Sequence, residues 1–390
     1  MKSSDITSRF IWFISRNLIV FALLLLTASL SEAQVRIPFT QRTSQYSPSK
    51  TIYNIKGDFT MIGNTNLTLA SYSDNGNNSS SMAYVDIDGI TSTLNSSSAA
   101  LTFSTENGAN PSCSNIIYAG LYWTGRTSNS SPSSNTFTVT KGSVTKTFDK
   151  SVVYLKHANA SGYTTISASD ANFTKEIYYP TTSDGYMYSA YAEVTDYVRD
   201  HGIGNYTVAD IACTEGIDGN NPSTGYYGGW GMIVVYENSK MNWRDVTIFD
   251  GHAYVGGGIT AAYELPVSGF NTIQTGNVNM KLGLMAGEGD RSISGDYFEV
   301  QKLQTTTWET LSHGGNSTGN FFNSSIYTGG NTRTPNLVNN TGLDIAMFNV
   351  PNPNNTVITN NQTSTKFHYG TTQDTYIIFC IAMAVDAYIP

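Results

Sequence analysis

Charge is scarce in this 390-residue chain. Only 13% of its residues are Asp, Glu, Lys or Arg, against about 25% in an average soluble domain. The balance is acidic, with a formal net charge of −8. No basic stripe appears, which excludes the electrostatic footprint that nucleic-acid binding needs. Histidine is scarcer still. The five are His157, His201, His252, His313 and His368, with no H-x-H or H-x-x-x-H pair among them, so a histidine-built metal centre is disfavoured. No G-x-S-x-G elbow is present to supply a serine nucleophile.

Cysteine is nearly absent too, with three residues: Cys113, Cys213 and Cys380. An export route permits a bridge between Cys113 and Cys213, and the odd count leaves one thiol over. Cys380, inside "YIIFCIAMAV", reads as a small buried hydrophobe. Long apolar runs are missing except one, "LIVFALLLLTASL", Leu18 to Leu30. It follows Lys2, Arg9 and Arg16, precedes the small residues of "SEA", and is too short to span a bilayer. That order reads as a signal peptide over 1–33, with Gln34 as the mature start. No cysteine follows to take a lipid anchor. The expectation is an exported protein, extracellular or at the cell surface, with no membrane span in the mature chain.

What fills the sequence is Ser, Thr, Asn, Gly and Tyr. Runs rich in β-branched and aromatic residues, bounded by Gly, Asn, Asp and Ser, recur along its length. "SNIIYAGLYWTG", "NYTVADIAC", "GMIVVYE", "DVTIFDG" and "DTYIIFCIAMAV" are the clearest. Several are continuously apolar, as strands covered on both faces are. The predicted fold is all-β, a jelly-roll-like β-sandwich. The length suggests two packed sandwiches, 34–240 and 241–390, divided at "ENSKMN". One short helix is expected in "YAEVTDYVRDHGIGNYTVADIA", capped by Thr195 and ended by Gly202 or Gly204. This strand, short helix and strand resembles a connection in jelly-roll modules of the galactose-binding type.

Four stretches in order carry a wider resemblance: "CSNIIYAGLYWTG", "YAEVTDYVRDHGIGNYTVADI", "GGWGMIVVYENSKMNWRDVTIFDGH" and "GEGDRSISGDYFEV". Together with "NNTGLDIAMFNV" and the closing "DTYIIFCIAMAV", they resemble the amino-terminal module of large Bacteroidetes cell-surface proteins. Those are the gliding-motility-associated and adhesin-like chains exported by type IX secretion. The resemblance covers nearly the whole mature chain. It implies an extracellular β-rich module serving adhesion or surface architecture, and it brings no catalytic residues with it. Such chains continue into repeats and a sorting domain, whereas this sequence ends at Pro390, a departure from the pattern.

The "GGWGMIVVYENSKMNWRDVTIFDGH" stretch reads as two strands with a turn between them. Gly228, Gly229 and Gly231 around Trp230 suit a turn where backbone passes close to other backbone or to an aromatic ring. Val246 and Ile248 fall on one face, Thr247 and Phe249 on the other. Asp250 and His252 then follow at a strand end, where Asp serves a turn.

Three acidic, glycine-rich turns are candidate calcium sites, since that ion takes six to eight oxygens. The first holds Asp86 and Asp88, the second Glu215 and Asp218. The third and best holds Glu288, Asp290 and Asp296. None matches an EF-hand loop. The densest aromatic clusters offer rings for stacking on sugars: Tyr186, Tyr188 and Tyr191, then Tyr226, Tyr227 and Trp230. A glycosidase would need two carboxylates at a set separation, and Glu193, Asp196, Glu237, Glu264 and Glu299 are available. The expectation is therefore a non-enzymatic adhesin-like or structural module, stiffened by calcium and facing a surface glycan or protein ligand. The alternative is a carbohydrate-binding module or carbohydrate-active enzyme.

Overall fold

The computed structural model describes residues 35–127, 135–168, 177–178, 186–219, 224–257, 263–302 and 305–387. The expected signal peptide lies outside them. The chain divides into Met1–Arg36, of which only residues 35 and 36 are described, and Ile37–Pro390, which carries all that follows.

The first strands are β1 (Val35–Gln41), β2 (Ile52–Thr65), β3 (Leu67–Leu69), β4 (Met82–Tyr84), β5 (Ser96–Leu101) and β6 (Asn115–Arg126). Next come β7 (Thr136–Lys141), β8 (Val144–Asp149), β9 (Val152–His157), β10 (Thr164–Ser167), β11 (Ile177–Tyr178) and β12 (Met187–Glu193). Helix α1 (Thr195–His201) leads into β13 (Gly204–Ala209), β14 (Gly228–Glu237), β15 (Trp243–Val255), β16 (Tyr263–Ser268) and β17 (Met280–Gly287). The last are β18 (Tyr297–Lys302), β19 (Thr307–Thr310), β20 (Ile326–Tyr327), β21 (Arg333–Thr334), β22 (Leu343–Val350), β23 (Ser364–Gly370) and β24 (Tyr376–Asp386).

An eleven-stranded sheet runs β11-β12-β6-β14-β2-β15-β24-β17-β22-β20, with β1 added beside β15. A five-stranded sheet runs β10-β9-β13-β5-β21 and a four-stranded one β16-β23-β18-β19. The two-residue period of a strand explains the layering. In β14, Met232 and Val234 enter one core while Ile233 and Val235 enter another. In β6, Leu121 and Trp123 join the first core and Tyr118 and Tyr122 the second. The first core takes Leu101, Leu155 and Val208 from the five-stranded sheet.

The second core takes Ile248, Met285, Ile345 and Phe379 from the far half of the large sheet, which therefore bends back over itself. Beyond that half, Tyr376 of β24 stacks on Phe322 at 4.0 Å, and Phe322 meets Phe298 of the four-stranded sheet. The fold is an all-β pair of packed sandwiches, as the runs of apolar strand indicated.

The division expected near residue 240 lies in the turn between β14 and β15. The idea of two separate domains needs correcting, because β2 hydrogen-bonds β14 on one side and β15 on the other. Residues Ile37–Pro390 form one compact unit. The glycines around Trp230 permit close approach as expected, but within a strand instead of a turn. A Cβ on Gly231 would stand 2.6 Å from Met285 Cε, and one on Gly229 2.7 Å from Asn64 O.

Helix α1 ends at Gly202, in the left-handed region at φ 71°, as foreseen. Its amino-terminal cap position is Val194, not Thr195. Thr195 instead accepts the Ala119 N–H and donates to Glu193, tying the helix to β6. No disulfide joins Cys113 to Cys213: Cys113 is exposed and Cys213 buried, both as free thiols. Cys380 lies in the core as expected. Among the described residues, no helix is long and apolar enough to cross a membrane.

Candidate functional site

The end of β6 carries Arg126 into the interior at 0% exposure. A buried guanidinium must find acceptors in several directions. It donates to Asp218 Oδ2 at 2.7 Å, to the Gly225 carbonyl at 3.0 Å and to the Thr224 carbonyl. The rings of Tyr226 and Tyr186 stand 5.6 and 5.8 Å from it. Tyr227, fully buried, shares a hydrogen bond with Thr124 at 3.0 Å, and its hydroxyl lies where a Cβ on Gly287 would fall.

The exit of β17 places Glu288 beside this group. Its N–H donates to the Gly342 carbonyl at 2.7 Å, and its Oε2 is buried with no hydrogen-bond partner. Asp290 accepts from the Asn78 N–H, and its own N–H donates to Asp374 Oδ2 at 2.9 Å. Burial, then the charges of Asp290 and Asp374, push the Glu288 carboxyl well above its usual range, with Arg126 opposing. Burial raises Asp290 to about 7 and Asp374 to about 9. Three carboxyl groups, a guanidinium and three tyrosines are thus gathered past the ends of β6 and β17.

The acidic loop is therefore split. Glu288 and Asp290 join this centre, while Asp296 turns away to accept the Phe322 N–H at 2.6 Å. Asp344, which sequence reasoning missed, stands near Asp296 and binds the N–H groups of Asn323, Ser324 and Ser325. Burial raises it to about 8 and Asp296 to about 6. Asp374, Asp344 and Arg126 were legible only as polar residues beside long apolar runs, a weak signal.

The calcium expectation meets a poor donor set. Among the described residues, no three His, Cys, Asp or Glu side chains are placed to hold a metal ion. The carboxylate oxygens here are largely taken by backbone N–H groups. Asp88 likewise serves its own turn, accepting from Ile90 N–H, Thr93 and Tyr163, and Asp86 accepts from Ser96. Glu215 binds Tyr84 N–H and Lys141. Chelation with EDTA is therefore expected to leave the thermal midpoint unchanged. A fall of several degrees in a calorimetric scan would restore the ion, since a ligand specific to the native state raises stability by mass action.

The sugar-stacking expectation fails for a different reason. Tyr188, Tyr227 and Trp230 are fully buried, and Tyr191 and Tyr226 nearly so. They alternate inward along β12 and β14 or pack beneath Arg126. Tyr186 is half-buried. Of the carboxylates weighed for glycosidase chemistry, Asp196 pairs with Arg199. Glu264 and Glu299 flank His368 across β23, Glu264 pairing with Lys366 and Glu299 with His368.

Asp250 and His252 also depart from the turn expected of them. β15 continues to Val255 through an irregularity between Asp250 and Ala253. A Cβ at Gly251 would fall 2.5 Å from the Ile37 carbonyl. Asp250 pairs with Arg42 at 2.6 Å and accepts from Tyr122 at 2.9 Å. His252 Nδ1 lies 2.7 Å from Ser189 Oγ, with the Tyr178 ring 4.0 Å from its own. A nucleophilic triad needs the acid to orient the histidine, and here Asp250 is turned to Arg42. The arrangement locks β1, β6, β12 and β15 together.

The class defined by this geometry is a two-sandwich all-β protein with enclosed polar centres. No protein-family model matches the chain, and no curated protein does. Among solved structures, a BuGH86 protein in complex with neoagarooctaose is similar at 7% identity and a TM-score of 0.22, over 84% of this chain. The chain spans 32% of that protein's length. A Parabacteroides distasonis ATCC 8503 protein, provisionally described as secreted, is similar at 5% identity and 0.23, over 90% and 97% of the two chains. PNGase F, a glycosylasparaginase from Flavobacterium meningosepticum, is similar at 9% and 0.18, over 85% and 97%. Likeness of this degree carries nothing about what the chain binds.

Proposed function

We propose that this chain is an exported, non-enzymatic β-sandwich module of the bacterial surface, adhesin-like or structural. One observation carries the reading: both sandwiches share a single sheet, and the polar centres that could have been active sites are enclosed and spent on tying loops together. Arg126 holds Asp218, Thr224 and Gly225, Asp344 holds 323–325, and Arg42 holds β1 against Asp250. A body built this way resists mechanical unfolding, because opening the enclosed centres would uncover buried charge. The low charge and the surface of hydroxyls and amides suit an extracellular setting.

External protease on intact source cells is expected to degrade the chain while a cytoplasmic marker survives. Purified protein is expected to release no reducing ends from polysaccharides. Protection on intact cells, or hydrolysis of any polymer, overturns this reading.

A second reading, a carbohydrate-active enzyme, is favoured by one feature. Glu288, Asp290 and Asp374 are neighbouring carboxyls raised to different degrees, as acid and base pairs are. Under it, Glu288→Gln abolishes a hydrolytic activity that the wild-type chain must first display.

A further inference from the structure

A second polar feature lies at the opposite end of the same strands. Lys281 near the start of β17 and Glu288 just past its end are separated by about 24 Å at 3.4 Å per residue. Two hollows of about 390 and 290 Å³ share Asp58, Glu106, Arg244, Lys281 and Asn349. The larger falls within the range of small-molecule sites, about 300–1,000 Å³. Three of the four charged walls, Asp58, Arg244 and Lys281, come from β2, β15 and β17, strands interior to the eleven-stranded sheet, and Glu106 comes from the short turn between β5 and β6.

The charges cancel pairwise. Lys281 Nζ lies 2.5 Å from Asp58 Oδ2, and Arg244 grips Glu106 through two bonds of 2.6 and 2.8 Å. Both cations are also anchored to carbonyls, Lys281 to Phe59 at 2.7 Å and Arg244 to Gly57 at 3.0 Å. An anionic ligand would face Asp58 and Glu106, and a cationic one Lys281 and Arg244. A neutral polyhydroxylated ligand meets no such conflict, since each hydroxyl can donate to a carboxylate and accept from a cation or amide. Exposed Asn349, opposite Lys281 across the β17–β22 ladder, offers both a donor and an acceptor. Phe103 and Tyr236, stacked at 4.1 Å, are buried core rings behind the hollow, and half-buried Met347 supplies its apolar wall.

We infer that this groove is a binding site for a neutral oligosaccharide. The inference rests on the reading of the chain as a surface module and names the chemistry of its partner. It places recognition away from the tyrosine clusters, on residues that sequence reasoning did not single out.

The test is calorimetric titration of the secreted chain with neutral hexaoses of the cello-, xylo-, malto-, manno- and chitin series. Hexagalacturonate and hexaglucosamine serve as the charged comparators. One neutral series is expected to bind at a single site, at least tenfold more tightly than either charged oligomer. Asn349→Ala is expected to weaken it about tenfold, the scale of one lost hydrogen bond to a charged or polar partner. Asn349→Trp, which fills the groove from an exposed strand position, is expected to abolish it. Thermal midpoints of both variants should match wild type, so lost binding cannot be lost folding. No binding by any neutral series, tighter binding of a charged oligomer, or unchanged affinity in Asn349→Trp would each overturn the site. Those failures leave a protease-accessible, inert surface protein intact as a reading, whereas a chain protected inside cells removes that reading itself.

Discussion

Replacing Arg126 with methionine is expected to destabilise the protein by about 3–5 kcal/mol, the usual cost of removing one partner from a buried ion pair. The side chains of Arg126 and Asp218 are 0% and 1% exposed. Methionine fills similar volume, so the loss is electrostatic: Asp218 keeps its charge in the interior without the guanidinium. The Thr224 and Gly225 carbonyls lose their donor as well. Arg126→Lys is expected to recover less than half, because one ammonium cannot reproduce the planar fork that reaches an acid and two carbonyls. The double variant Arg126→Met, Asp218→Leu should be less destabilised than Arg126→Met alone, giving a coupling free energy of favourable sign. Urea unfolding monitored by tryptophan fluorescence measures all three. Single-variant losses under about 1 kcal/mol would show that the pair is not a structural anchor.

The sheets were legible in the sequence because strand period and apolar runs are local properties. "GGWGMIVVYE" and "DTYIIFCIAMAV" became β14 and β24, and Cys380 was buried as its neighbours implied. Long-range pairing was not legible. Asp250 read as a turn former because its partner Arg42 lies 208 residues away, and Asp290 reads differently once Asp374, 84 residues on, is beside it. The tyrosines were misread for a related reason. The rings of Tyr186, Tyr188 and Tyr191 in "GYMYSAY" look the same in sequence whether the strand faces solvent or core, and β12 is covered on both faces. The groove at Asp58, Arg244 and Lys281 left no trace, since each charge sits singly in its own strand and the sites meet only when the sheet bends.

Stability is expected to fall as pH rises from about 5 to about 9, the reverse of the common pattern in which paired carboxylates lose stability in acid. The groups responsible are Asp296, Asp290, Asp344 and Asp374, raised by burial to about 6, 7, 8 and 9, and Glu288, raised further by its acidic neighbours. In the unfolded chain each titrates near 4. A folded value above the unfolded one means the native state holds the proton more tightly. That contribution is therefore complete below about pH 4 and is lost as pH climbs through 6 to 9. Groups that burial lowers oppose it, among them His313 and Lys150 at the edges. His313, lowered to about 4 by burial, favours the folded state less as pH drops below the ordinary histidine range. Lys150, lowered to about 8 by burial, regains stability only above that value. Between pH 5 and 8 the carboxyls dominate, and their coupling makes the losses less than additive. A drop of several kcal/mol, or roughly 5–10 °C in thermal midpoint, is the expected scale. Glu288→Gln, which holds one carboxyl permanently neutral, should flatten the profile above pH 7 without lowering the midpoint at pH 5. A midpoint that rises across this range would mean the carboxylates are charged and paired in the native state, and the enclosed centre would then need a cation.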